Sequence, residues 1–198
     1  MKKVELFPSI LIKHKLKCFD DSFLNIIKNE KYQPSLTASA NGSYTCNVNV
    51  LQKSSFKKLK KEILDVADKF AKNYLCHDVK ELKISCSWGA KLNKNNLIPN
   101  HTHINSYISG VIYLTKGTPI QFHSPVSPPH VFPKLKTFNK FNFPIYEVKP
   151  KKGLCLLFPS SLSHSVGLSK QASTRYSIGF NILPVGKIGF DTANINII

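Results

Sequence analysis

Three histidines and one arginine are the residues of this chain whose types and spacing best suit chemistry. His101 and His103 stand two apart in the run Asn100-His-Thr-His-Ile104. In an extended strand, alternate residues share a face, so both imidazoles would point to one side. His164 follows the apolar stretch from Leu154 to Phe158, beside a cluster of serines. A pair on one strand with a third from a distant strand end is how a jelly roll brings three ligands to one metal. Eleven residues further comes Arg175, the single arginine in a chain with 27 lysines. A planar, two-pronged donor is kept where a carboxylate must be gripped in a fixed orientation. Alternation places Ser177, Gly179 and Asn181 on the same face as Arg175, a small polar stripe suited to a bound dicarboxylate.

Elements must carry these residues to one place. After residue 80 the chain turns to short segments rich in Ile, Val, Tyr, Phe, Ser and Thr, punctuated by Gly, Pro and Asn. The predicted strands run over 81–90, 100–115, 119–123, 144–149, 153–158 and 174–183. Segment 124–143 is rich in proline and carries Phe132, Phe138, Phe141, Lys134, Lys136 and Lys140, which predicts a long, lid-like loop. Upstream, Phe56, Leu59, Ile63, Val66, Ala67, Phe70 and Tyr74 recur at three- and four-residue spacing, predicting an amphipathic helix over 52–75, with Ser54 or Ser55 as its cap. A shorter helix is predicted from about 21 to 31. Helices followed by strands imply an α+β, mainly β domain whose body is a β-sandwich or jelly roll.

Composition narrows the class. A chain of 198 residues with 42% hydrophobic and 20% charged residues is one globular domain with a sizeable core. No apolar run approaches the roughly 20 residues of a membrane span, and Glu5, Pro8 and Lys13 interrupt any signal-peptide core. A cytoplasmic location is expected, that of the host if the chain is phage-encoded. Five cysteines without a CxxC pair read as reduced, mostly buried thiols. The net charge is +17, with +9 on residues 1–100 and +8 on residues 101–198, so the excess is spread along the chain. A nucleic-acid reader concentrates its charge and uses arginine, which argues against that class.

Together these residues resemble the iron(II)- and 2-oxoglutarate-dependent dioxygenases, most closely a group of oxygenases found in bacteria and phages. The matching marks are Leu6-Phe7-Pro8, the Trp88 strand, the block from His101 to Leu114 with Ser109-Gly110-Val111, the segment from Gly153 to Pro159, His164, and Arg175-Tyr176-Ser177 followed by Phe180-Asn181. The resemblance spans nearly the whole chain. It implies a double-stranded β-helix over 81–185, with 1–80 as a helical support region and 186–198 as a C-terminal tail. It further implies that His101 and His164 bind Fe(II) and that Arg175 with Ser177 holds the distal carboxylate of 2-oxoglutarate. Tyr113 matches a tyrosine that assists that carboxylate. The implied activity consumes O2, decarboxylates 2-oxoglutarate to succinate and hydroxylates a small-molecule or peptidyl substrate.

One position departs from the family pattern. Where most members carry an aspartate or glutamate as the middle ligand, this chain has His103, and no acid occurs between Glu81 and Glu147. The expectation is a three-histidine site of His101, His103 and His164. A two-histidine site with an extra open position is the variant reading, and a carboxylate could come only from Glu147, Asp191 or the N-terminal part. Protonation of free imidazoles should weaken the site below about pH 6. His123 and His130, flanking the proline-rich segment, read as loop residues or substrate contacts, and Trp88 as core. The competing reading is a cupin-like metal-binding protein or a dioxygenase that does not use 2-oxoglutarate, which Arg175→Ala would distinguish.

Overall fold

The computed structural model describes residues 1–2, 8–34, 42–126, 131, 133–139, 141–190 and 192–197. In chain order the elements are β1 (Ile12–Lys15), α1 (Ser22–Lys28), β2 (Tyr32–Pro34), β3 (Ser43–Thr45), α2 (Lys57–Lys69), β4 (Glu81–Leu92), β5 (Ile98–His101) and β6 (Ile108–Tyr113). They continue with β7 (Ile120–His123), β8 (Ile145–Val148), β9 (Leu154–Pro159), β10 (His164–Val166), β11 (Arg175–Phe190) and β12 (Ala193–Ile197). The larger sheet has the order β1-β9-β6-β11-β4-β3-β2, with β12 paired to β11, and the smaller has the order β5-β10-β7-β8. Neighbouring strands pair antiparallel in both. This is the jelly roll that the sequence predicts.

Alternation on β11 explains how the layers separate. Ile178, Phe180 and Ile182 are fully buried in the core formed with Phe23, Ile27, Phe56, Leu59, Ile63, Ala67 and Phe70, mostly from the helical region. The intervening residues Arg175, Ser177, Gly179 and Asn181 face a cavity toward the smaller sheet. Gly110 on β6 is required by close approach: a Cβ there would stand 2.2 Å from the Phe180 ring and 2.6 Å from the Leu156 carbonyl.

The long helix differs in detail from its expected span. Turns of 3-10 helix at Val50–Gln52 and Ser54–Phe56 lead into α2, and Phe56 occupies its N-cap position without a side-chain cap bond. Ser54 and Ser55 lie in the preceding turn, so neither is the cap. A π-helical turn, Phe70–Tyr74, ends the element. Its wider step rotates Tyr74 off the apolar stripe, leaving it 61% exposed. Glu62 ties α2 to the chain leaving β1: its carboxylate accepts from His14 Nε2 at 2.7 Å and from the backbone N–H groups of Lys17 and Cys18 at 2.8 Å each. Burial alone would raise this carboxyl, but those donors hold it down at about 2.

Other expectations are corrected. Segment 1–80 contributes β1, β2 and β3 to the larger sheet as well as helices. The single strand expected over 100–115 is two strands in different sheets, because the chain must cross between layers; Asn105 turns it with φ +53. The C-terminal tail is a hairpin, β11 running on to Phe190 and pairing with β12. None of the five cysteines is paired, and Cys18, Cys46 and Cys76 are exposed rather than buried. The described parts of 124–143 are irregular, as expected of a loop, while His130, Phe132 and Lys140 lie outside the described residues, as do Leu6 and Phe7.

Candidate active site

The three histidines meet at the mouth between the sheets. His164 opens β10 and pairs across from His101 at the end of β5. His103 lies beyond β5, in the crossing loop, where its backbone N–H donates to the Ser160 carbonyl at 3.0 Å. Convergence of the pair therefore comes from the loop's turn and not from alternation along one strand. Ring centroids are 5.2 Å apart for His101 and His103, 4.3 Å for His101 and His164, and 5.1 Å for His103 and His164. One ligand nitrogen from each lies within 4.8 Å of the others.

Each imidazole is oriented by an oxygen that can only accept. His101 Nδ1 donates to the Pro99 carbonyl at 2.8 Å, and His164 Nδ1 to the Leu162 carbonyl at 2.9 Å. His103 Nδ1 donates to Asn181 Oδ1 at 2.6 Å, an oxygen that also accepts from Ser109 Oγ at 2.8 Å. A hydroxyl chain continues from Ser109 to Ser160 at 2.7 Å and from Ser160 to Ser106 at 2.8 Å. With Nδ1 protonated in all three rings, each Nε2 lone pair is free for a metal, the arrangement that fixes tautomer and direction in metal-binding histidines. Burial, then the neighbouring His101, holds His164 down at about 3. Burial likewise lowers His103, against the hydrogen bond from its ring to Asn181. Burial thus favours the neutral form of both rings, the form that offers a lone pair to a metal.

No carboxylate joins them. Among the described residues, His101, His103 and His164 are the group able to share an ion. Glu147 lies outside the cavity lining and accepts from Gln121 Nε2 at 2.7 Å, and Asp191 lies outside the described residues. His123 ends β7, its Nε2 2.8 Å from Ser165 Oγ, and does not line the cavity.

At the inner end stands Arg175, 3% exposed. Its Nε and the Tyr113 hydroxyl are buried without hydrogen-bond partners. The guanidinium lies 5.1 Å from the Tyr113 ring centre, and no carboxylate among the described residues pairs with it. Burial pushes the Tyr113 hydroxyl up to about 12, with Arg175 acting against it. Ser177, also 3% exposed, is the cross-strand partner of Tyr113. Gly117 closes over the arginine stem, where a Cβ would come within 2.7 Å of Arg175 Cβ. Orphaned buried donors beside an unpaired cation are what a carboxylate ligand would satisfy.

The cavity linking both ends measures about 480 Å³. Trp88, expected in the core, instead lines it, 5.7 Å from the His103 ring. Sequence reasoning placed Asn181 on the lining stripe but missed its hold on His103; it named Ser109 only as a mark of the resemblance, and Ser160 not at all. A histidine pairs with an amide 78 positions away only through β11 packing beside the crossing loop, and no local pattern signals that.

Comparison with known proteins agrees with this geometry. A family profile described as "Putative 2OG-Fe(II) oxygenase" matches residues 86–181, the segment that runs from β4 through all three histidines to Asn181. None of the curated proteins matches the sequence. Among solved structures, the non-heme alpha ketoglutarate dependent epimerase SnoN from nogalamycin biosynthesis is similar at a TM-score of 0.65 and 12% identity, over 90% of this chain and 80% of that one. A prolyl-4-hydroxylase from Pseudomonas putida is similar at 0.63 and 11%, over 89% and 93%. HygX from Streptomyces hygroscopicus, solved with nickel and 2-oxoglutarate bound, is similar at 0.61 and 13%, over 89% and 83%. These structural likenesses carry the fold, and the profile match makes the segment from β4 to Asn181 similar to the 2OG-Fe(II) oxygenases across the histidine and arginine strands.

Proposed function

We propose that the protein is an Fe(II)- and 2-oxoglutarate-dependent dioxygenase that hydroxylates a small-molecule or peptidyl substrate, with His101, His103 and His164 as the metal ligands. Arg175, Ser177 and Tyr113 bind the distal carboxylate of 2-oxoglutarate. The observation that carries the reading is the buried Arg175, with no carboxylate partner among the described residues, in the same cavity as three imidazoles whose Nδ1 atoms are bonded and whose Nε2 atoms are left for a metal. Bound iron, 2-oxoglutarate and O2 supply an oxidation in which the keto acid loses CO2 to become succinate and a substrate C–H becomes C–OH.

The chain's own residues do the positioning. Pro99, Leu162 and Asn181 aim the three rings, and the guanidinium, with the Tyr113 and Ser177 hydroxyls, offers donors in fixed directions to an anion. His103 leaves the donor set without a carboxylate, which makes the centre one charge more positive than a site with an acidic third ligand. The reading is tested by Fe(II)-dependent formation of succinate from 2-oxoglutarate, followed without added substrate. Slow formation in the wild type and none in Arg175→Ala is expected. Succinate formation that survives Arg175→Ala unchanged would overturn the carboxylate assignment.

A further inference from the structure

Resting on that oxygenase reading, we infer that the substrate is a small molecule with an uncharged, largely apolar ring system that lies against Trp88, between Val48 and Ile104, beside the three histidines. The lining residues carry this. One residue in five of the chain is charged, yet among the described residues the cavity lining holds a single formally charged side chain, Arg175. The carboxylate assigned above uses that cation. A cationic group on the substrate would then lose its water without meeting a counter-charge, since no carboxylate among the described residues lines the cavity. Lys134 and Lys136, the described lysines of the 124–143 loop, do not line the cavity, so the anionic substrate they might have recruited has no support there.

Around the mouth stand Tyr44, Val48, Trp88 and Ile104. Val48 is 52% exposed and Ile104 83% exposed, two large apolar side chains that also line the cavity. Apolar surface of this kind at a cavity rim marks a binding site. Trp88 sits across from Gly179 on the paired strand, and a Cβ at 179 would come within 2.6 Å of the indole. The glycine thus lets the indole lie down on the sheet, tilted 31° to the His103 ring, which in turn stacks at 24° on His101. A flat ring placed against Trp88 would extend this row of rings and bring its edge toward the histidines, the packing that aromatic groups prefer. A volume of about 480 Å³ lies within the range of small-molecule sites and leaves room for a ring beside the keto acid.

Trp88 is the only tryptophan, so its fluorescence reports the mouth directly. The test titrates the protein, loaded anaerobically with Fe(II) and 2-oxoglutarate, with 2-naphthol, with protonated 2-naphthylmethylamine, with glucose and with an N-acetylated phenylalanine amide. Saturable quenching by naphthol, at least about tenfold tighter than by the amine and absent with glucose, is expected. Ile104→Asp and Val48→Asp, both at exposed positions clear of the core, should each weaken naphthol about tenfold. The visible band that iron(II) gives on chelating a keto acid should be unchanged in both. Equal binding of the amine, wild-type naphthol affinity in both aspartate variants, or binding of the phenylalanine amide alone would overturn the inference. Loss of the visible band in the wild type counts against the oxygenase reading instead, and the naphthol titration still judges the mouth by itself.

Discussion

The two faces of β11 were built from the same strand to opposite specifications. Toward the helices, Ile178, Phe180 and Ile182 are completely buried among aliphatic and aromatic neighbours. Toward the smaller sheet, Arg175, Ser177, Gly179 and Asn181 line an open cavity, and the arginine has an unsatisfied nitrogen. One face maximises apolar contact; the other leaves polar groups without partners at a cost in stability that only a ligand recovers. A period of two residues is enough to divide fold from function.

Substitutions on the two faces should therefore separate stability from ligand binding. Phe180→Ala removes a fully buried ring and should cost about 3–5 kcal/mol in urea unfolding, whereas Ser177→Ala should cost less than about 1 kcal/mol and weaken 2-oxoglutarate. Equal destabilisation by both would break the comparison. Arg175→Met should lower 2-oxoglutarate affinity by about 100-fold, roughly the worth of two charge-assisted hydrogen bonds. The same variant should unfold at a higher temperature than the wild type when both are free of ligand, because a buried cation with no carboxylate partner among the described residues is replaced by an apolar chain. Calorimetry with and without 2-oxoglutarate measures both effects.

A smaller effect is expected at Asn181, whose amide orients His103. Asn181→Leu should weaken metal binding by about 10–100-fold in chelator competition, and Asn181→Asp, which keeps an acceptor for His103 Nδ1, should restore it. Unchanged metal affinity in the leucine variant would remove His103 from the ligand set. On the helix side, Glu62→Gln should cost about 1–3 kcal/mol at neutral pH by weakening three donor contacts to a charged acceptor. The Glu62 carboxyl is held below its ordinary value of 4.5, at about 2. Its contribution is therefore complete above pH 4.5 and is lost as pH falls toward 2, and the gap between variant and wild type should close over that window.

Much of this division was legible in the sequence. Alternation from Arg175 to Asn181 and the apolar stripe from Phe56 to Phe70 both follow from local spacing, and each places the residues it names. The three histidines converge as the spacing implied, but for a different reason, since the strand ends at His101 and a loop carries His103. Strands β1, β2 and β3 escaped notice because they are three or four residues long, and β1 and β3 are placed by pairing with strands far along the chain. Trp88 was misplaced because a strand residue opposite a glycine looks like core until the partner strand is known. What spacing cannot show is which residue sits across a sheet, and most of the site's support is of that kind.

The central claim is that three imidazoles hold iron and Arg175 holds the keto acid beside it. Anaerobic titration with Fe(II) and then 2-oxoglutarate tests it most directly, following the weak visible charge-transfer band in wild type, His103→Ala and Arg175→Ala. The account predicts one iron per chain and a band in the wild type, weaker iron binding in His103→Ala, and iron binding without a band in Arg175→Ala. A wild type that binds iron but forms no band, or an Arg175→Ala variant with the full band, would contradict it.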